Sequence, residues 1–320
     1  MLAAPWCRSA VSSASPPLWR VYLALVVASF LWGSLYTAAK PAVSATGAVQ
    51  VTLCRVALAF VCLSPLVLAR GGPTMLLRPL VRHWRAIVLL GALNFGASQI
   101  LALSALNFLP ASVNGVLNNT HPLWVAIGSA LLARPSRPGL LVVGSAIALV
   151  GVCVIFLPDV LSTGLTTNIQ PVGVALALAG SGVIALGTVI GRRVMPGNDP
   201  LAVSALASGA AIIPVGAITV ASGGLGPILA ADTNVKLELL YVGIGCTAIN
   251  FALWYYGLKH LSAAAASAFQ YLIPPIGIAL AALFLGEPIT PTLLAGTLLI
   301  LLGLAATQLA SASRLRKSVN

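Results

Sequence analysis

The chain has 320 residues, of which 59% are hydrophobic and 7% charged, and its 17 Lys and Arg against 5 Asp and Glu give a formal net charge of +12. A soluble domain normally carries about 25% charged residues, so this composition excludes a globule covered by water. Ten membrane spans of about 20 residues each would use most of the length and leave no room for a soluble catalytic domain.

The basic residues stand at the ends of apolar runs, so they read as topology signals rather than as a nucleic-acid footprint. Arg8 and Arg20 precede the first run. That run is too long for a secretory signal core and holds Trp32 and Tyr36, so it reads as a spanning helix. Apolar runs bounded by charge, Pro or Gly predict helices over 21–40, 46–69, 86–106, 111–133, 139–157, 171–190, 201–221, 238–257, 263–285 and 291–310. Each is expected to be helical, because backbone facing lipid must satisfy its own hydrogen bonds. Trp19 and Trp84 stand at run starts, where an indole N–H reaches the wet interface.

With the N-terminus in the cytoplasm, fourteen Lys and Arg fall inside, Lys40 and Lys236 fall outside, and Arg55 lies within a span. This bias predicts ten spans with both termini cytoplasmic, because one span more or fewer reverses every downstream side. The expected organisation is an all-α integral membrane fold in five parts. A cytoplasmic segment 1–20 leads into a first five-helix unit 21–157, and an external linker 158–170 follows. A second five-helix unit 171–310 then ends in a basic cytoplasmic tail 311–320. The cysteines Cys7, Cys54, Cys62, Cys153 and Cys246 form no CxxC pair, which argues against a disulfide framework or a metal site.

The two units share a register. A shift of 152 residues lays Gly91 on Gly243, Pro122 on Pro274, Gly144 on Gly296 and Gly151 on Gly303. An odd number of spans per unit makes the halves enter the membrane from opposite sides. Such inverted repeats commonly enclose a binding site near the midplane.

Polar side chains within spans are costly and tend to face the bundle interior or a water-filled cavity. Asn114, Asn118 and His121 share one face of the fourth predicted helix, and Asn94 and Ser98 share one face of the third. Under the 152 shift, Asn94 and Ser98 fall on Cys246 and Asn250, and Asn118 falls on Gln270. These residues either line a cavity between the halves or bond helix to helix. Asn and Gln offer donors and acceptors to a polar or zwitterionic ligand. Trp254 and Tyr271 are the aromatic candidates beside them, for stacking on a ligand or for packing. His121 is either a hydrogen-bonded core residue or a proton carrier. Arg55, an isolated charge in a span, either anchors structure or meets an anionic ligand. Trp32, Pro122, Pro274 and Glu287 complete the candidates for gating or structural roles, the prolines as hinges or fixed kinks inside the fourth and ninth helices.

Several segments carry a family resemblance. The run Trp254-Tyr255-Tyr256-Gly257-Leu258-Lys259-His260-Leu261-Ser262-Ala263, then Pro274-Pro275 and Leu285-Gly286-Glu287-Pro288, resembles the eighth-to-tenth helix pattern of EamA-type proteins in the drug/metabolite transporter superfamily. Leu31-Trp32-Gly33-Ser34 is similar to that family's first-helix motif, and Arg55 to its second-helix arginine. The resemblance covers residues 22–310 and departs at one place, where Arg134-Pro135 stands in the first half in the position of Gly286-Glu287. It implies a central cavity lined by helices three, four, eight and nine, alternating access, and export of small metabolites such as amino acids.

No Walker A, HExxH or GxSxG motif occurs. The expectation is therefore a secondary transporter and not an enzyme, without cofactor or metal. Its partners would be a small-molecule substrate and the lipid bilayer, with no nucleic acid, as a monomer or homodimer in a bacterial inner membrane. Export of an amino-acid-like or amphipathic metabolite ranks first. Import or antiport of a sugar-nucleotide or phosphate ester ranks next, because such anions would favour several cavity cations and only Arg55 qualifies. A non-transporting scaffold or sensor would need larger loops than this chain has.

Overall fold

The computed structural model describes residues 17–132, 137–161, 169–261 and 263–312. Residues 1–16 of the expected N-terminal segment, 162–168 of the expected linker and 313–320 of the tail lie outside the described residues, as do Arg134 and Pro135. Every regular element among the described residues is a helix.

In chain order these are α1 (Leu18–Thr46), α2 (Ala48–Leu90), a π-helical stretch Gly91–Ala97 and α3 (Ser98–Ser104) with a 3-10 turn Ala105–Asn107. There follow α4 (Ala111–Asn118), α5 (His121–Leu132), α6 (Pro138–Leu161), α7 (Pro171–Val194), α8 (Pro200–Ala221), α9 (Gly226–Ala230) and α10 (Thr233–Leu240). A second π-helical stretch Tyr241–Ile249 leads into α11 (Asn250–His260), α12 (Ala263–Ala268), a 3-10 turn Phe269–Leu272, α13 (Ile273–Leu285) and α14 (Pro291–Ala312). Among the described residues, eight helical segments are long and apolar enough to cross a membrane.

Two predicted spans run together, and one is divided. The spans predicted over 46–69 and 86–106 fall in a single helical run, Ala48–Asn107, of 60 residues. A straight helix of that length would reach about 90 Å, roughly three times the hydrocarbon core. The run is not straight. Gly72 (φ 69, ψ −173) and His83 (φ −138, ψ 36) leave helical geometry, and Pro73 and Pro79 between them lack a donor. Only a residue without a Cβ takes the Gly72 conformation at little cost.

The span predicted over 111–133 divides instead at Asn119–Thr120, between α4 and α5. This corrects the expectation for the prolines. Pro122 lies in the first turn of α5, and Pro274 and Pro275 in the first turn of α13. There a missing N–H is one of the orphans anyway. α-Helical geometry is interrupted before each proline, by a break at Asn119–Thr120 before Pro122 and by the 3-10 turn Phe269–Leu272 before Pro274. The two breaks obey the 152-residue register, and so do the π-helical stretches, where Gly91 corresponds to Gly243.

Packing follows small residues, because in lipid helices associate through close van der Waals contact rather than apolar burial. α6 lies along α14 on a seam of Gly144, Gly151, Gly296 and Gly303. A Cβ on Gly151 would stand 2.7 Å from the Gly296 carbonyl oxygen, and one on Gly144 would stand 2.8 Å from that of Gly303. α2 packs on α8, and α1 runs through the middle against α13, α11 and α4. Large apolar side chains such as Ile213, Val220 and Leu283 point outward, as a lipid-facing surface requires.

Candidate functional site

A cavity of about 170 Å3 lies where α1, α2, the Gly91–Ala97 stretch, the α4–α5 break, the Tyr241–Ile249 stretch, α11 and the 3-10 turn before α13 converge. A single water needs only about 10–15 Å3 on this measure. Of the sequence-predicted residues, Trp32, Arg55, Asn94, Asn118, His121 and Gln270 line it. The irregular backbone explains why they converge. Asn94 sits within the first π-helical stretch, His121 starts α5, and Gln270 lies in the 3-10 turn. Local departures from α-geometry of this kind often mark functional sites.

The remaining candidates stand outside the lining. Asn114 is fully buried behind Asn118, and its Nδ2 donates to the Ala102 carbonyl at 2.9 Å. Asn118 Nδ2 in turn donates to Asn114 Oδ1 at 3.0 Å and to the Asn114 carbonyl at 3.2 Å. Ser98 donates to the Asn94 carbonyl at 2.6 Å. Asn250 is fully buried and donates to the Ala28 carbonyl of α1 at 3.1 Å. Trp254 packs on Trp32 with ring centroids 5.2 Å apart. Tyr271 is half-buried beside Gln270 and is not among the cavity's lining residues. Pro122 does not line the cavity, and Pro274 lines a small adjoining cleft.

Polar lining residues that the sequence did not single out include Gln99, Asn119 and Thr247. Arg55 is 6% exposed, and its Nε donates to Thr247 Oγ1 at 2.7 Å and its Nη1 to Gln99 Oε1. Gln99 is held in turn, because its Nε2 donates to the Asn94 carbonyl and to Ser98 Oγ, both at 3.3 Å. Thr247 donates to the Val242 carbonyl at 2.9 Å, which aims its lone pairs at Arg55. Part of the lining is aromatic. Trp32 meets Phe251 edge-on at 6.2 Å, and Phe251 leans on Phe95 at 5.7 Å. The site therefore pairs one cation and several amides with an apolar wall.

A second cluster holds the chain together near Glu287. Its Oε1 accepts from the Ala111 N–H at 2.6 Å and pairs with Lys40 Nζ at 3.0 Å. Its Oε2 accepts from the Ser112 N–H at 2.9 Å and the Ser112 hydroxyl at 2.6 Å. Lys40 also donates to the Leu109 carbonyl at 3.3 Å. The α4 N-terminus follows Pro110, which supplies no side-chain cap, so Glu287 takes the orphan N–H groups from across the molecule. Burial works against its charge. The Ser112 hydroxyl, the Ser112 and Ala111 N–H groups and Lys40 nevertheless hold the carboxyl below its ordinary range. A cleft of about 10 Å3 lined by Ser112, Gly115, Pro274 and Gly277 shares Trp32, Tyr36, Asn119 and Ile273 with the cavity. It therefore stands between the cavity and this cluster. No group of three His, Cys, Asp or Glu able to hold a metal occurs among the described residues.

The EamA-like transporter family matches this chain twice, over residues 19–157 and 171–308. A protein of Streptantibioticus cattleyicolor named "Probable terminal-alkyne amino-acid exporter" is 26% identical over 273 residues, 85% of this chain and 88% of its own length. An "Uncharacterized transporter" of Archaeoglobus fulgidus is 34% identical over 76 residues, 24% of this chain and 28% of its own length. A crystal structure at 21% sequence identity shares the fold, with a TM-score of 0.61 over 92% of this chain and 98% of the other. Two consecutive matches spanning most of an apolar, all-helical chain make this a multi-pass membrane protein that belongs to the EamA-like transporter family.

Proposed function

We propose that this transporter works by secondary active transport, exporting an amino-acid-like or small amphipathic solute by alternating access across a bacterial inner membrane. The observation that carries the reading is the cavity. It combines Arg55 and the amides Asn94, Asn118 and Gln270 with the aromatic wall of Trp32, Phe95 and Phe251. Such a lining suits a solute with a polar head and an apolar side. The name of the Streptantibioticus cattleyicolor relative, "Probable terminal-alkyne amino-acid exporter", supports both the direction and the substrate class. Among the other candidates, Ser98, Asn114, Asn250, Trp254 and Tyr271 support the lining from behind, and His121 contributes its imidazole to it.

The topology that goes with this reading has ten crossings in two inverted five-helix halves, with both termini cytoplasmic. The turn at Gly72–His83 divides the long run into two crossings, and Arg70, Arg78, Arg82 and Arg85 lie on or beside that turn. α4 and α5 together make a crossing interrupted at the cavity. Lys40, Glu287 and the α4 N-terminus then share the external face, where Glu287 fastens the outer ends of α1, α4 and α13. Opening outward requires that fastening to part.

The test compares culture media by mass spectrometry. Cells expressing the wild type are set against cells expressing Asn118→Leu/Gln270→Leu at equal membrane abundance. An amino-acid-like compound should accumulate outside the wild-type cells alone. Identical media from both would contradict export through this cavity.

A further inference from the structure

We infer that Arg55 is the anchor for the carboxylate of a zwitterionic substrate, and that Asn118 Oδ1 accepts from its ammonium group. This rests on the reading of the cavity as a site for amino-acid-like solutes, and it assigns each half of the zwitterion to a named atom.

Arg55 is buried in α2 and faces the cavity. A guanidinium carries five N–H donors, and only Nε and one on Nη1 find partners among the described residues. Both partners, Thr247 and Gln99, are neutral, so they fix the orientation and leave the charge uncompensated. The single ion pair among the described residues is Lys40–Glu287, in the other cluster. The sequence has five carboxylates, and none falls deep within an apolar run. A cation buried in a span without a counter-ion is costly. Here it is also held rigid, through Gln99 to Asn94 and Ser98 and through Thr247 to the Val242 carbonyl. The free part of the guanidinium retains the planar geometry that a carboxylate meets in a bidentate manner. Rigid orientation without neutralisation is what a ligand site needs, whereas a structural arginine would have its charge met within the protein.

Asn118 supplies the complement. It is 3% exposed, lines the same cavity, and has an Oδ1 with no hydrogen-bond partner. The amide orientation follows from its surroundings, because Nδ2 donates to two Asn114 oxygens. A buried acceptor without a donor is unfavourable unless a ligand completes it. An ammonium group brings donors and no acceptor, so it matches that oxygen.

The test needs no variant in its first arm. The purified wild type is heated with each of the twenty L-amino acids, with their methyl esters, and with the corresponding acids lacking the amino group. At least one amino acid should raise the midpoint. Its ester should bind at least about 30-fold more weakly, as loss of one member of a buried charge pair implies. The acid lacking the amino group should also bind more weakly; equal stabilisation by that acid would overturn the assignment of Asn118. Arg55→Gln should abolish the shift, and Arg55→Lys, which keeps the charge, should restore part of it. An amino acid and its ester that stabilise equally would overturn the assignment of Arg55 while leaving an amino-acid transporter standing. Failure of all twenty amino acids to stabilise the wild type would overturn the substrate class and the assignment with it.

Discussion

Arg55 shows how a single side chain can be placed for function by neighbours that add nothing to its charge. Thr247 and Gln99 fix the guanidinium by one hydrogen bond each. Removing either should loosen its aim, and it also leaves a donor of a buried charged group unpaired, which costs about 1–3 kcal/mol. Thr247→Val and Gln99→Met are therefore expected to weaken solute binding by roughly 5-fold or more with a modest fall in melting midpoint, read by titration and thermal denaturation side by side. A large fall in midpoint with unchanged affinity would mean that these residues serve the fold alone. The sequence made part of this site visible. Asn94, Asn118, His121 and Gln270 stand out as polar residues in apolar runs, and the 152-residue register aligns Asn118 with Gln270. Gln99 and Thr247 do not stand out, because neither has a polar partner in the repeat; they fall opposite Phe251 and Phe95.

At the scale of elements, two features carry the architecture. The α6–α14 seam has no room for side chains at Gly151 or Gly296. Gly151→Leu should push the helices apart and lower the melting midpoint sharply, whereas Gly182→Ala, where nothing lies within 4 Å, should leave it unchanged or slightly raised. Equal midpoints for both variants would contradict the seam. The Glu287 cluster joins α4, α13 and α1. Its folded carboxyl is held below the ordinary value of about 4.3, so its stabilisation is present above that value. The stabilisation is lost as pH falls from there through the lower folded value. The midpoint difference between wild type and Glu287→Gln should therefore be constant from neutrality down to mildly acidic pH and then shrink. A difference that grew on acidification would reverse the sign and refute this pairing. Lys40 and Glu287 are 247 positions apart, and periodicity says nothing about such a contact. The breaks before Pro122 and Pro274 were half legible. The prolines mark the places, but sequence alone does not distinguish a kink within a helix from the start of a new one.

At the scale of the molecule, the chain is two similar units whose irregularities coincide. The π-helical stretches and the proline-led helix starts recur in the 152-residue register, and all of them border the cavity. Hydropathy made the helices legible, but eight segments among the described residues are long and apolar enough to cross a membrane where ten were expected, because one run joins two predicted spans and another predicted span divides at Asn119–Thr120. The proposed topology can be tested by single cysteines in a cysteine-free background. A membrane-impermeant thiol reagent added to intact cells should label Ser222→Cys and spare Arg78→Cys, and disrupted cells should label both. Labelling of Arg78→Cys in intact cells would place that turn outside and invert the topology.

Passage of solute through this cavity is read most directly by counterflow in proteoliposomes. Vesicles holding purified wild type or Asn118→Leu/Gln270→Leu are preloaded with unlabelled L-amino acids and given the same mixture, isotope-labelled, outside. Wild-type vesicles should take up at least one labelled amino acid in a saturable manner, and the double variant should fall to the leak of empty vesicles. Equal uptake by the two proteins would show that the route lies elsewhere.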